Sequence, residues 1–226
     1  GAGIARALKE AGYRVVVNYF SADAVARDFE AASGIPVFKW DVSDFDACKA
    51  GIEDVRRQHG AVEILINNAG TVSDNKFENM DEAQWHRVLR VNLDSLFHMC
   101  QQVYPDMMAN KWGRIVNIGS MNGQAGQLNQ GNYVAAKSGM HGFTKALALE
   151  GAKHGITVNT VAPGYVDTDM VRAVPENVLE KIIASIPVGR LGRAGDIART
   201  VKFLVADDAD FITGSTLSVN GGHHMY

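Results

Sequence analysis

The feature that most constrains this chain is a regular alternation of short apolar runs with helical patterns. The runs are "YRVVVNY" (13–19), "PVFKW" (36–40), "VEILI" (62–66), "RIVNI" (114–118), "ITVNTVA" (156–162) and "TLSVN" (216–220). They are short, rich in β-branched residues and nearly continuous in apolar character, which is the mark of strands buried on both faces. Helical patterns fill the intervals: 1–12, 21–34, 43–59, 81–108, 131–154, a stretch running to Ala184, and 195–205. Ser21 and Ser43 are expected to cap their helices, and Asp81 with Gln84 forms a capping-box pattern. Such alternation predicts an α/β fold, a doubly wound parallel sheet with helices on both faces. No repeat, low-complexity tract or linker interrupts it, so residues 1–226 read as a single domain.

Composition narrows the partners. A formal net charge of -3 carries no global signature of nucleic-acid binding. No apolar run approaches membrane-spanning length, and the first residues lack a signal-peptide plan. Cys48 and Cys100 both fall in helical patterns, which suggests free thiols in a reducing, cytoplasmic compartment rather than a disulfide framework. The paired histidines His223 and His224 do not complete a ligand set, so no metal is expected.

Ligands of such sheets sit beyond the carboxyl ends of the strands. Those ends carry "DVSD" from Asp41, "NNAG" (67–70), "GSMNG" (119–123) and "PGYVDTDM" (163–170). One such group is ordinary turn chemistry; four on one edge look like the rim of a site. Tyr133 and Lys137 stand four apart in a helix and project from one face. An ammonium beside a phenol favours the phenolate, and a tyrosine so tuned can pass a proton to or from a substrate oxygen. Ser120 can donate a hydrogen bond to that oxygen as charge develops.

These residues resemble the short-chain dehydrogenase/reductase family. The resemblance runs the length of the chain and rests on ordered motifs: "NNAG", "VNL", a serine thirteen residues before "YVAAK", "PG" and a closing "NGG". It implies a Rossmann-type fold and a catalytic tetrad of Asn92, Ser120, Tyr133 and Lys137. Tyr133 would be the general acid in reduction, Ser120 would orient the carbonyl, and Lys137 would hold the nicotinamide ribose. Asn92 would hold a water linking Lys137 to a proton relay. The hydride would come from a nicotinamide cofactor.

The resemblance also implies cofactor contacts at Gly1, Asp41, Val42, Asn68, Ala69, Gly70, Pro163, Gly164, Val166 and Thr168, besides Tyr133 and Lys137. Tyr19 stands where NAD-preferring relatives place an acid, so NADPH is expected over NADH. Asp74, Gln127, Gln130 and Tyr165 match positions that face the acyl end in members acting on acetoacetyl-CoA. That pattern implies reduction to (R)-3-hydroxybutyryl-CoA for polyhydroxybutyrate storage, under a lid formed by "DMVRAVPENVLEKIIASIPV". The alternative is reduction of a 3-oxoacyl thioester on an acyl-carrier protein, with Lys111 and Arg172 as basic contacts. An alternative of another class is a non-catalytic NADPH sensor, against which the presence of both Tyr133 and Lys137 counts. Family members also suggest a homotetramer formed through 81–108 and 131–154. Gly1 matches the last glycine of the family's phosphate-binding turn. The expectation is therefore that the first strand and most of that turn are missing from the chain, and that residues 1–226 alone bind NADPH poorly or fold poorly.

Overall fold

A computed structural model describes residues 1–172 and 174–225. Ala173, inside the expected lid, lies outside the described residues. The strands are β1 (Val17–Tyr19), β2 (Val37–Lys39), β3 (Ile64–Asn67), β4 (Gly113–Ile118), β5 (Ile156–Pro163) and β6 (Thr216–Val219). The helices are α1 (Ala2–Glu10), α2 (Asp23–Ser33), α3 (Phe45–His59), α4 (Glu82–Leu89), α5 (Ser95–Asn110), α6 (Asn122–Ala125), α7 (Gly131–Gly151), α8 (Asp169–Arg172), α9 (Glu176–Ser185) and α10 (Ala194–Leu204).

Every pairing is parallel, but the strands divide into two sheets, β1-β2 and β3-β4-β5-β6. Between β1 and β3 lies an elongated, mainly apolar cavity of ≈ 800 Å³, walled by Val15 and Val17 on one side and Ile64 and Ile66 on the other. Each of the two strands keeps one edge unpaired, which is why a single continuous sheet is not formed.

The pleat sends alternate residues of each strand to opposite faces. Ile115 and Val158 join Cys48, Ile52, Val55, Met99 and Val103 on the α3–α5 side. Val116 and Val161 join Ile4, Leu8, Ile197, Val201 and Leu204 on the α1–α10 side. On α1 the buried residues are Ile4, Ala5 and Leu8, while Ala11 is exposed. Gly3 faces α10 rather than the sheet: a Cβ there would stand 2.9 Å from that of Ala194.

Local signals explain the helix starts. Asp81 and Gln84 form the expected capping box on α4. Two expected caps are wrong. The cap of α2 is Ala22, held in the left-handed region at φ 68 with no side-chain bond, and α3 is capped by Asp44, which accepts from the Ala47 amide, not by Ser43. Ser43 instead donates to the Asp41 carboxylate. The segment read as one helix over 81–108 is two helices joined by a π turn at Arg90–Asp94. Among the described residues no helix is long and apolar enough to cross a membrane, and no cluster of His, Cys, Asp and Glu is arranged to hold a metal ion.

Candidate active site

The carboxyl ends of β3, β4 and β5 deliver three small groups to one place, and α7 delivers two ionisable side chains. Lys137 is 3% exposed, and its Nζ donates to the Ile118 carbonyl at 2.7 Å, at the end of β4. Burial pushes its ammonium down from the ordinary 10.5 to about 8, because the low-dielectric surroundings disfavour the charged form. The same Nζ stands 5.7 Å from the centre of the Tyr133 ring.

Burial raises the Tyr133 phenol above its ordinary range; hydrogen bonding with Ser120 pulls it back, and the charge of Asp74 adds to the rise. The expectation that Lys137 draws this phenol down is therefore not met. Both groups are short of water, and the lysine proton is committed to a backbone carbonyl. What the geometry does provide is a tyrosine phenol hydrogen-bonded with a serine hydroxyl.

Asn92 sits in the π turn between α4 and α5, 1% exposed. Its Nδ2 donates to the carbonyls of Thr71 and Val88, both at 2.8 Å, and its Oδ1 accepts from the Thr71 amide. It thus ties the loop after β3 to the helix pair. Gly70 explains how closely these parts meet. A Cβ at that position would lie 2.8 Å from Asn92 Oδ1, so any larger residue would displace Asn92, while Lys137 Nζ, at 3.8 Å, would be at ordinary contact distance.

These residues border a cleft of ≈ 1220 Å³ with Asp41, Val42, Asn68, Ala69 and Thr168 on its wall. The cleft suits an anionic dinucleotide: the buried Lys137, the Gly70 that permits close approach, and the exposed Arg87 and Arg90 all line it. Four expected cofactor contacts are not on the wall. Gly1 packs on Asn68, where a Cβ would meet Nδ2 at 2.9 Å. The Pro163 carbonyl accepts from Met121, and the Gly164 amide donates to Val219. Val166 bridges to Gly192. These four support neighbouring chain segments in this arrangement.

A hydrogen-bonded line runs from the expected substrate residues to the serine. Gln130 donates to Asp74 at 2.9 Å and accepts from Asn122 Nδ2 at 2.9 Å, while the Asn122 amide donates to Ser120 Oγ at 3.1 Å. Gln130 and Asp74 are thus engaged with each other. Gln127 is exposed and, with Tyr165, lines a second cavity next to Met121. Lys111 and Arg172 do not form one patch. Lys111 ends α5 at the amino end of β4, whereas Arg172 follows the carboxyl end of β5 and pairs with Asp167 at 2.7 Å.

Sequence reasoning missed Asn132 and Asn117. Asn132 is fully buried; its Oδ1 accepts from the Tyr133 amide, and its Nδ2 donates to the carbonyls of Ser73 and Gln84, fixing the start of α7. Asn117 accepts from Asn67 and donates to Thr144, which in turn bonds Thr160. This buried ladder stiffens the floor under the site. Both were polar residues inside otherwise apolar or helical runs, the one visible signal of a buried network. Cys48 and Cys100 are free and buried, and burial pushes both thiols up to about 12, so neither is a nucleophile here.

The family model described as enoyl-(acyl carrier protein) reductase matches residues 1–224. An acetoacetyl-CoA reductase of Rhizobium meliloti (strain 1021) is 55% identical over 226 residues, covering 100% of this chain and 94% of the relative. One of Shinella zoogloeoides is 54% identical over 223 residues, covering 98% and 92%. A 3-oxoacyl-(acyl-carrier-protein) reductase of Staphylococcus aureus (strain MW2) is 42% identical over 231 residues, covering 100% and 94%.

Proposed function

The chain belongs to the short-chain dehydrogenase/reductase family, and on that footing we propose that it reduces acetoacetyl-CoA to (R)-3-hydroxybutyryl-CoA with NADPH. The observation that carries the reading is the Tyr133 phenol hydrogen-bonded with Ser120, with the buried Lys137 Nζ 5.7 Å from the centre of the same ring. Reduction of a ketone adds a hydride to carbon and a proton to oxygen. When bound, the reduced nicotinamide supplies the hydride. Ser120 donates a hydrogen bond to the substrate oxygen and holds it beside Tyr133. Tyr133 gives its proton to that oxygen as negative charge builds there. Lys137, on the same helix face with its Nζ 5.7 Å from the centre of the Tyr133 ring, would hold the nicotinamide ribose. Asn92 keeps the loop after β3 against Lys137 and bounds the path along which Tyr133 is reprotonated.

The preference for NADPH is supported at the end of β1. Tyr19 lines the cleft there, and the nearby Asp23 is turned to Lys39 on β2 at 2.8 Å. No carboxylate at that strand end is left to repel a phosphate on the adenosine ribose. A CoA thioester, rather than one on a carrier protein, is supported by the higher identity to the acetoacetyl-CoA reductases and by the separation of Lys111 from Arg172. The product is a monomer for polyhydroxybutyrate storage, and the protein works in the cytoplasm. Exposed Phe97 on α5 and Leu149 on α7 support assembly as a homotetramer through those helices.

The test compares acetoacetyl-CoA with an acetoacetyl carrier protein, each with NADPH and NADH. Highest kcat/KM for acetoacetyl-CoA with NADPH is expected, and Tyr133→Phe should lower kcat by about 10³ while NADPH still binds. Substantial activity in that variant would remove Tyr133 from the acid role. Tight NADPH binding with no turnover of any 3-oxoacyl thioester would favour the sensor.

A further inference from the structure

Next to Met121 a cavity of ≈ 370 Å³ opens between the loop preceding α7, helix α9 and the turn that follows β6. Its wall mixes aliphatic Ile182 with Gln127, Tyr165, Lys181 and His223. The turn is held firmly. Asn220 Oδ1 accepts from the Gly222 amide at 3.0 Å, and Asn220 Nδ2 donates to the His224 carbonyl at 2.8 Å. On one side it presses against Gly164, where a Cβ would lie 2.8 Å from that of Asn220. On the other it meets the segment leaving α9. The Val188 amide donates to the Gly221 carbonyl at 3.1 Å, and a Cβ on Gly221, at φ +65, would lie 2.8 Å from Ile186 Cγ2.

His223 makes the side-chain link across this seam. Ser185, the last residue of α9, donates its hydroxyl proton to the Ile182 carbonyl at 2.7 Å. Its oxygen can then only accept from His223 Nε2, 3.1 Å away. That assigns the ring proton to Nε2 and leaves Nδ1 a bare acceptor, enclosed and without a partner. The same ring lies beside Tyr165, with centroids 5.8 Å apart. One imidazole therefore touches the helix over the cavity and the aromatic wall of it, from a turn anchored to the loop that carries Gly164.

We propose that His223 is a positioning residue for the thioester substrate. It latches the end of α9 to the turn after β6 and fixes the Tyr165 ring, so that the cavity is shaped before the slender acyl-thioester arm enters. This rests on the reductase reading above. It acts through α9 and Tyr165 and takes no part in proton transfer.

The test uses His223→Leu, which removes the donor but keeps apolar bulk, and His223→Gln, which restores an N–H at similar reach. With NADPH saturating, His223→Leu should raise KM for acetoacetyl-CoA about fivefold, the worth of one modest hydrogen bond. kcat and the KM for NADPH should stay within about twofold, and His223→Gln should recover most of the loss. A purely structural role would instead lower kcat and thermal stability without moving KM, or leave Gln as impaired as Leu; either result overturns the proposal. Hydrogen exchange of the α9 amides, measured without substrate, should be faster in His223→Leu than in the unaltered protein. Unchanged exchange refutes the latch. If the unaltered protein fails to turn over acetoacetyl-CoA, the reductase reading falls, while the exchange experiment still judges the latch on its own.

Discussion

Lys137 should make this protein more stable as pH rises, against the usual expectation for a lysine. Its ammonium titrates near 8 in the folded state against an ordinary 10.5, so between those values the unfolded chain binds the proton more readily. Stability then rises with pH through that window. Below pH 8 the folded state carries the full cost of a buried cation, ~3 kcal/mol at pH 7 from the size of the shift. About 2 kcal/mol of that is relieved between pH 7 and 9.5. Lys137→Met removes the titration and keeps an unbranched apolar chain in the same space. The buried cysteine thiols, pushed from the ordinary 9.0 up to about 12, oppose this trend because they ionise within the window once the chain unfolds; they do so equally in both proteins and cancel in the comparison. The assay is equilibrium urea unfolding of both proteins at pH 7 and 9.5, at fixed ionic strength, followed by tryptophan fluorescence. Stability of the unaltered protein relative to Lys137→Met should improve by about 2 kcal/mol on going to the higher pH. Parallel profiles for the two proteins would refute the reasoning, since they would mean that Lys137 is solvated or already neutral in the folded state.

Gly70→Ala should displace Asn92 from the loop after β3, because the new methyl would stand 2.8 Å from Asn92 Oδ1; a stability loss of about 1–3 kcal/mol in urea and weaker NADPH binding by fluorescence titration are expected. Gln127→Ala should raise KM for acetoacetyl-CoA with little change in kcat, whereas Gln130→Ala should also lower kcat, because Gln130 links Asp74 to Asn122 and so to Ser120; steady-state kinetics of the two single variants separates these outcomes. Ala22→Gly should stabilise the protein by about 1 kcal/mol in the same urea assay, as Ala22 holds φ 68 at the start of α2 and glycine pays no steric penalty there.

The order of the strands, their parallel sense and the placing of Asn92, Tyr133 and Lys137 on one cleft were legible in the sequence. The reason is that each depends on local pattern. β-branched runs favour strands, buried nearly throughout at β4 and β5 and only partly at β1, β2 and β6, Asp81 and Gln84 cap α4 through atoms three residues apart, and the four-residue spacing of Tyr133 and Lys137 holds in any helix. Long-range contact decided the rest. Whether β1 and β3 share a sheet depends on the distance between their edges, and here a cavity separates them. The cap of α3 went to Asp44, while Ser43 turned its hydroxyl to the Asp41 carboxylate. The raised Tyr133 phenol did not follow from its spacing to Lys137, because burial acts on both groups and spacing says nothing of burial. Likewise Gln130 with Asp74, Lys111 apart from Arg172, and Ser185 with His223 are pairings or separations between residues distant in the chain. Residue type and periodicity fix what a segment can become, while desolvation and contact are set only when the segments are packed together.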